Sequence, residues 1–272
     1  MCVCRHRPHA PLLGRAALTP STPRARRVAE CGKCDNQQKD RCRFLRTRPS
    51  GAVRAEWFRL GTVDGVGGVR FVDEIGFAFG WIASEPGFMQ RASHAVAAQG
   101  RVWVLDPVAD ERALGRAPEL GEPAGVVQLL DRHGRDCRAV AKQLGVPHYE
   151  VPGQPPAGAP FEVLPLLRHR WWHEVALWFP EQRTLVCADA VGTAQYYRGP
   201  GERLGVSPLL RLTPPQRLLA VEPDHVLVGH GEGIQEDAAA ALREAIRLAR
   251  RRTPSWAWAG LRAHGPFARR AR

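Results

Sequence analysis

Val226-Leu227-Val228-Gly229-His230-Gly231-Glu232-Gly233 is the stretch on which the fold of this chain turns. An apolar run ends in a histidine set between glycines, and a helical pattern follows at once. The run reads as a buried strand. The glycines read as a turn in which the backbone comes close to a neighbour or a ligand. A histidine at a strand end of a layered α/β fold sits where metals and substrates bind. From about Gln235 to Arg251 the pattern predicts a helix. Glu236 and Asp237 lie near its positive end and Arg250 to Arg252 near its negative end, as the macrodipole favours, and Pro254 follows the stop.

Working back from that loop, apolar strands alternate with turns. Residues 92–98 and 101–105 read as a hairpin around Gly100, closed by Asp106-Pro107. Residues 126–130 form another strand. Asp131-Arg132-His133-Gly134-Arg135-Asp136-Cys137 comes after it, then a short helix through Val140, Ala141 and Leu144 that Gly145 stops. Residues 147–151, 161–167, 173–179 and 183–189 read as further strands. Residues 57–60 and 69–72 are shorter strand-like pieces. The glycines between them lack phosphate-loop spacing and no Lys-Ser/Thr follows, so they read as a turn.

The charge is uneven. The chain of 272 residues has a net charge of +12, yet residues 1–50 carry a net +9 and residues 247–272 a net +8, which leaves the body at −5. Arginines outnumber lysines 36 to 3, the bias of a GC-rich coding sequence, so arginine abundance alone says little about partners. The organisation read from these shifts is a basic, cysteine-containing tail over 1–50, a folded domain over 51–254 and a basic tail over 255–272. Cys31 and Cys34 form a CxxC with Cys42 nearby, but a structural zinc site wants four ligands and no second tight pair is visible. Basic tails suit polyanions such as nucleic acid. No run approaches the ~18 apolar residues of a membrane span, and the short apolar start at residues 10–14 is broken by Arg15. No membrane partner, no secretory signal and a cytoplasmic location are expected. No Gly-x-Ser-x-Gly elbow marks a serine hydrolase.

Polar residues gather at the ends of the apolar strands: 131–137, 169–173, Asp189 and His230. Their order and spacing over roughly residues 91–250 resemble the metallo-β-lactamase fold superfamily. The resemblance implies an αββα sandwich, two mixed sheets flanked by helices, with metals along one edge. It also shows where this chain departs. Setting Asp136 on the Asp of the family's His-x-His-x-Asp-His motif puts Arg132 and Gly134 on the first two His positions and Cys137 on the last. His133 is out of register. His169, Arg170 and His173 compete for the next His position, while Asp189 matches the bridging aspartate and His230 the last His.

The resemblance therefore implies a degraded metal site and a protein weak or inactive as a hydrolase, binding a small-molecule or peptidic ligand in the inherited cleft. A fixed cation at Arg132 repels a metal and pairs instead with Asp189 or Asp131. Loss of Arg132 would then strand a buried carboxylate, at roughly 3–5 kcal/mol. The alternative is a single-metal hydrolase, with zinc or another divalent ion on Asp136, Cys137, Asp189 and His230 and with Asp131 or His133 as base. Against it, Cys137 reads equally as a buried small hydrophobe and Asp136 as a helix cap. Cys187 reads as core, His94 as a hairpin residue facing the pocket or solvent, and His225 as loop. A third reading is a polyanion-binding module acting through the basic tails.

Overall fold

The computed structural model of the chain describes residues 68–84 and 89–264. The basic N-terminal stretch with Cys31, Cys34 and Cys42, and the strand-like piece at 57–60, lie outside the described residues. Six strands form the first sheet in chain order: β1 (Val69–Ile75), β2 (Ala78–Ala83), β3 (Ala92–Ala98), β4 (Arg101–Leu105), β5 (Glu122–Gln128) and β6 (His148–Glu150). The first four pair antiparallel, and β4, β5 and β6 pair parallel. The switch to parallel pairing needs crossovers, and helices provide them. They are α1 (Glu111–Leu120) between β4 and β5, and α2 (Cys137–Leu144) between β5 and β6.

The second sheet holds β7 (Glu162–His169), β8 (Trp172–Phe179), β9 (Thr184–Cys187) and, beyond a small pair formed by β10 (Val191–Gly192) and β11 (Gly205–Val206), β12 (His225–Val228). Its order is β12-β9-β8-β7, with β12 parallel to β9 and the rest antiparallel. Both sheets are thus mixed. The last helix, α3 (Ala238–His264), packs against β11 and β12.

Strand alternation sorts the core into layers. On β4, Val102 and Val104 meet Ala113, Leu114 and Ala117 of α1 and Cys137, Val140 and Ala141 of α2. Trp103 and Leu105, on the other face, join the core shared with Val175, Leu177, Leu185 and Val186 of the second sheet. Ala241, Leu242, Ala245 and Ile246 of α3 close that core from outside. The layers run helix, sheet, sheet, helix, as the sequence implied. Trp81, Trp103 and Trp172 are fully buried, each worth at least ~1.5–3 kcal/mol of burial.

Differences from the sequence reading have physical causes. α1 was not legible: its N-terminus is set by Asp110, whose side chain accepts from the Arg112 and Ala113 amides, and Pro118 interrupts its pattern. α3 runs past Pro254 to His264, so helix occupies residues 255–264 where a tail was expected. Side-chain contacts carry it across the proline. Arg250 Nε donates to Leu212 O (2.8 Å), Trp256 Nε1 donates to Tyr196 O (2.9 Å), and the buried Arg211 lies over the Trp256 ring while paired with Glu202. His94 is buried against Asp73 (3.0 Å) rather than facing a pocket or solvent, and His225 opens β12. Cys187 is core.

Candidate metal centre

Strand register brings the first two site residues together. β12 and β9 run parallel with Val228 opposite Cys187. Two residues further along each strand stand His230 and Asp189, so they emerge side by side at one sheet edge. The third residue, His133, comes from the turn between β5 and α2. Nε2 of His133 and Nε2 of His230 each lie 3.0 Å from Oδ1 of Asp189. One ligand atom from each of the three falls within 4.8 Å of the others.

Each histidine is fixed from behind. His133 Nδ1 meets Asp106 Oδ2 at 2.8 Å, and His230 Nδ1 meets Met89 O at 2.7 Å. A carbonyl oxygen only accepts, so His230 carries its proton on Nδ1. The carboxylate assigns His133 the same tautomer. Both Nε2 atoms therefore face Asp189. Tyr197 stacks on the His230 ring, with centroids 5.7 Å apart. The His230 carbonyl accepts from the Thr193 and Ala194 amides. Gly231 follows at φ +93, where a Cβ would stand 2.3 Å from Thr193 Oγ1, so only glycine fits this turn.

Asp189 is positioned from below by a residue the sequence reading did not single out. Glu174 of β8 is fully buried. Its Oε1 accepts from the Asp189 and Ala190 amides (2.9 and 2.8 Å) and its Oε2 from Trp172 Nε1 (2.7 Å). Burial and the nearby Asp189 charge push the Glu174 pKa up to about 7 against the Ala190 amide, the Trp172 indole and the charge of His133. Burial also acts to raise Asp189, but hydrogen bonding from His133 and His230 and their charge, when the rings carry an Nε2 proton, outweigh it and hold the carboxyl well below the usual range. For His133, burial and Arg135 act to lower the pKa, and the Asp106 and Asp189 carboxylates prevail and raise it.

Arg135 is the second residue without a sequence signal. Its guanidinium donates to Ala92 O (2.6 Å), Asp106 O (2.8 Å) and Gly229 O (3.1 Å), tying three segments together beside the site. Arg132 sits over the Trp172 ring, 4.5 Å from its centroid, with Nη2 3.6 Å from Asp189 Oδ2. The pairing of Arg132 with Asp189 read from the sequence is present, but the arginine side chain is 45% exposed.

The expected ligand set of Asp136, Cys137, Asp189 and His230 does not assemble. Asp136 Oδ2 accepts from the Ala109 amide (2.8 Å), so its carboxylate braces the start of α2 against the segment after β4. Cys137 is buried, its thiol donates to His133 O (3.4 Å) and stands outside the group formed by His133, Asp189 and His230, and burial and the Asp106 charge push its pKa up to about 12. Asp131 Oδ2 accepts from the His173 amide, which joins β8 to the turn after β5 and places Asp131 in a structural contact rather than as a base. His133, expected as a base, stands with Asp189 and His230 as a candidate ligand. His169 packs on Trp171, and neither it nor His173 joins the triad. A cavity of about 380 Å³ beside α2 is lined by Asp131, Arg135, Asp136 and Arg138 among others.

The three donors suit a divalent ion. Asp189 Oδ1 is buried and has no well-aligned hydrogen-bond donor, although both Nε2 atoms are in contact range. The imidazoles approach it obliquely. Ligands of one ion do the same: arms of about 2.1 Å at angles between about 90° and 109° space the donor atoms by about 3.0–3.4 Å. Two imidazoles and a carboxylate form a borderline set that zinc, iron(II) or manganese accepts.

No protein-family model matches the sequence, and no curated protein matches it. Among solved structures, the chain is similar to the DIM-1 metallo-β-lactamase exposed to ceftazidime (17% identity, TM-score 0.46, covering 69% of this chain and 99% of that one). It is similar to a metallo-β-lactamase from Erythrobacter litoralis (11%, 0.46, 67% and 92%) and to FIM-1 from Pseudomonas aeruginosa in its mono-zinc form (11%, 0.47, 68% and 96%). Two mixed sheets face to face, with helices outside and polar residues at one edge, form the αββα layering that the sequence resemblance implies.

Proposed function

We propose that the chain is a hydrolase that works with a single divalent ion held by His133, Asp189 and His230. The observation that carries this reading is the orphaned Oδ1 of Asp189, buried between two Nε2 atoms whose tautomers leave lone pairs on its side. Three protein ligands with an open position is the pattern of a catalytic rather than a structural site. When bound, the ion acts as a Lewis acid toward a substrate's carbonyl or phosphoryl oxygen.

The chain's own residues decide the rest. Arg132 occupies the side of Asp189 where a second cation would pair, which favours one ion over two. Asp106 and Met89 hold the imidazoles with Nδ1 protonated, so neither ring turns its lone pair away. Arg135 fixes the backbone around both histidines. The nearest charges are Asp106, Asp189 and, when ionised, Glu174 against Arg132 and Arg135. A divalent ion makes the site net positive, which weakens its own hold and favours a substrate bearing negative charge. Arg132, half-exposed and planar, is placed to pair with such a group.

Metal loading tests this. Full-length protein dialysed against zinc or manganese is expected to retain close to one equivalent, and Asp189→Ala and His230→Ala to retain almost none. Any ester or phosphoester hydrolysis is expected to vanish in the same variants. Less than about a tenth of an equivalent after loading would reject the metal reading. The Arg132–Asp189 pair would then mark a ligand-binding cleft without hydrolytic activity.

A further inference from the structure

We propose that the outer face of the C-terminal half of α3 docks on an anionic phospholipid surface. From Arg247 to His264 this helix carries Arg247, Arg250, Arg251, Arg252 and Arg262 and no acidic residue. At about 100° per residue, Arg247, Arg251, Trp258, Leu261 and Arg262 fall within roughly 100° of one another around the helix axis. All five are exposed, Trp258 at 61% and Leu261 at 57%. The face is therefore cationic and apolar together. Arg262 lies over the Trp258 ring, 5.7 Å from its centroid, which keeps a charge beside the exposed indole. Leu212, 66% exposed, sits next to Arg250 through the bond from Arg250 Nε to its carbonyl. The sequence continues this character with Phe267, Arg269, Arg270 and Arg272.

Charge selects the occupant. A second copy would bring the same arginines against this face and be repelled. A polyanionic partner is attracted, and the apolar residues choose among polyanions. Nucleic acid uses arginine, and can use tryptophan, but has no use for exposed leucines at the same face. A bilayer surface uses all three: arginines meet anionic headgroups, tryptophan sits at the headgroup level and leucine enters the acyl boundary. Trp256 Nε1, on the opposite side, is bonded to Tyr196 O, so the helix is held to the domain by one face while the other stays available. No helix of the described residues is long and apolar enough to cross a membrane, and the contact proposed is at the surface.

Vesicle sedimentation of the full chain decides it. The chain is expected to co-sediment with phosphatidylcholine vesicles that contain phosphatidylserine and to stay in solution with phosphatidylcholine alone, with tryptophan emission shifted to the blue when bound. Trp258→Ser with Leu261→Ser is expected to weaken partitioning by about tenfold or more. Arg247, Arg251 and Arg262 changed together to Gln is expected to weaken it on the order of a hundredfold. These side chains are exposed, and an unchanged melting temperature will show that the variants fold. Equal binding to both vesicle types, or full binding by the Trp258/Leu261 variant, overturns the proposal. So does salt-sensitive binding to duplex DNA without vesicle binding, which would name nucleic acid as the partner.

Discussion

Arg132 shows how exposure changes the weight of a contact. The sequence suggests a buried pair whose loss would strand a carboxylate. In the structure Asp189 keeps His133 and His230 when the guanidinium is removed, and Arg132 itself is half in water. Such pairs contribute less than about 1 kcal/mol. Arg132→Ala is therefore expected to leave the denaturation midpoint almost unchanged while tightening metal binding, because it removes a cation from the site. A calorimetric titration with zinc checks it. A large drop in stability with no gain in affinity would mean that Arg132 is a structural replacement for the ion.

Elements place the site through their ends. β9 and β12 deliver Asp189 and His230 because parallel pairing keeps equal residue counts in step. The turn after β12 then has to bend at once, and Gly231 permits it with its positive φ and with Thr193 pressed against it. Gly231→Ala is expected to destabilise the chain by roughly 1–3 kcal/mol in urea and to lower metal retention, since relief of the clash moves His230. Glu174 of β8 performs a comparable task for Asp189. In Glu174→Ala the Asp189 and Ala190 amides and the Trp172 indole lose their shared acceptor. A loss of about 1–3 kcal/mol is expected, seen as a lower melting temperature. Retained stability in either variant would show that these ends are less constrained than the contacts imply.

The whole molecule carries the site's charge as a pH dependence. Glu174 has a folded pKa raised from 4.5 to about 7, so the folded state holds its proton more tightly. That contribution is full below 4.5 and is lost as pH rises to about 7. His133 is raised above 6.5, so its contribution is lost as pH rises through its folded value. Asp189 is lowered, and its contribution is lost only as pH falls below 3.8. The metal-stripped chain is thus expected to melt at lower temperature as pH rises from about 6 to about 8. Metal binding needs His133 without its Nε2 proton, so it strengthens over the same range and stabilises the fold by mass action. Melting curves with chelator and with zinc should diverge as pH rises. Parallel curves would show that no ion competes with the proton at His133.

Periodicity made most strands, α2, the first part of α3 and the layered class legible, because burial of one face imposes its period on the sequence wherever an element is regular. His230 and Asp189 were legible for the same reason: each follows an apolar strand directly, and strand register is rigid. His133, Asp136 and Cys137 were not, because they lie in a turn and at a helix start, where one residue of slip costs little and a motif's register does not fix a position in space. Glu174 and Arg135 gave no local signal, since each acts through partners distant in sequence. The sequence alone determined most of the strands, the layered class and the placing of Asp189 and His230 at strand ends. Only the tertiary structure decided which of three neighbouring side chains meets Asp189, because that choice belongs to the path of a turn packed between two sheets, and no repeating pattern records it.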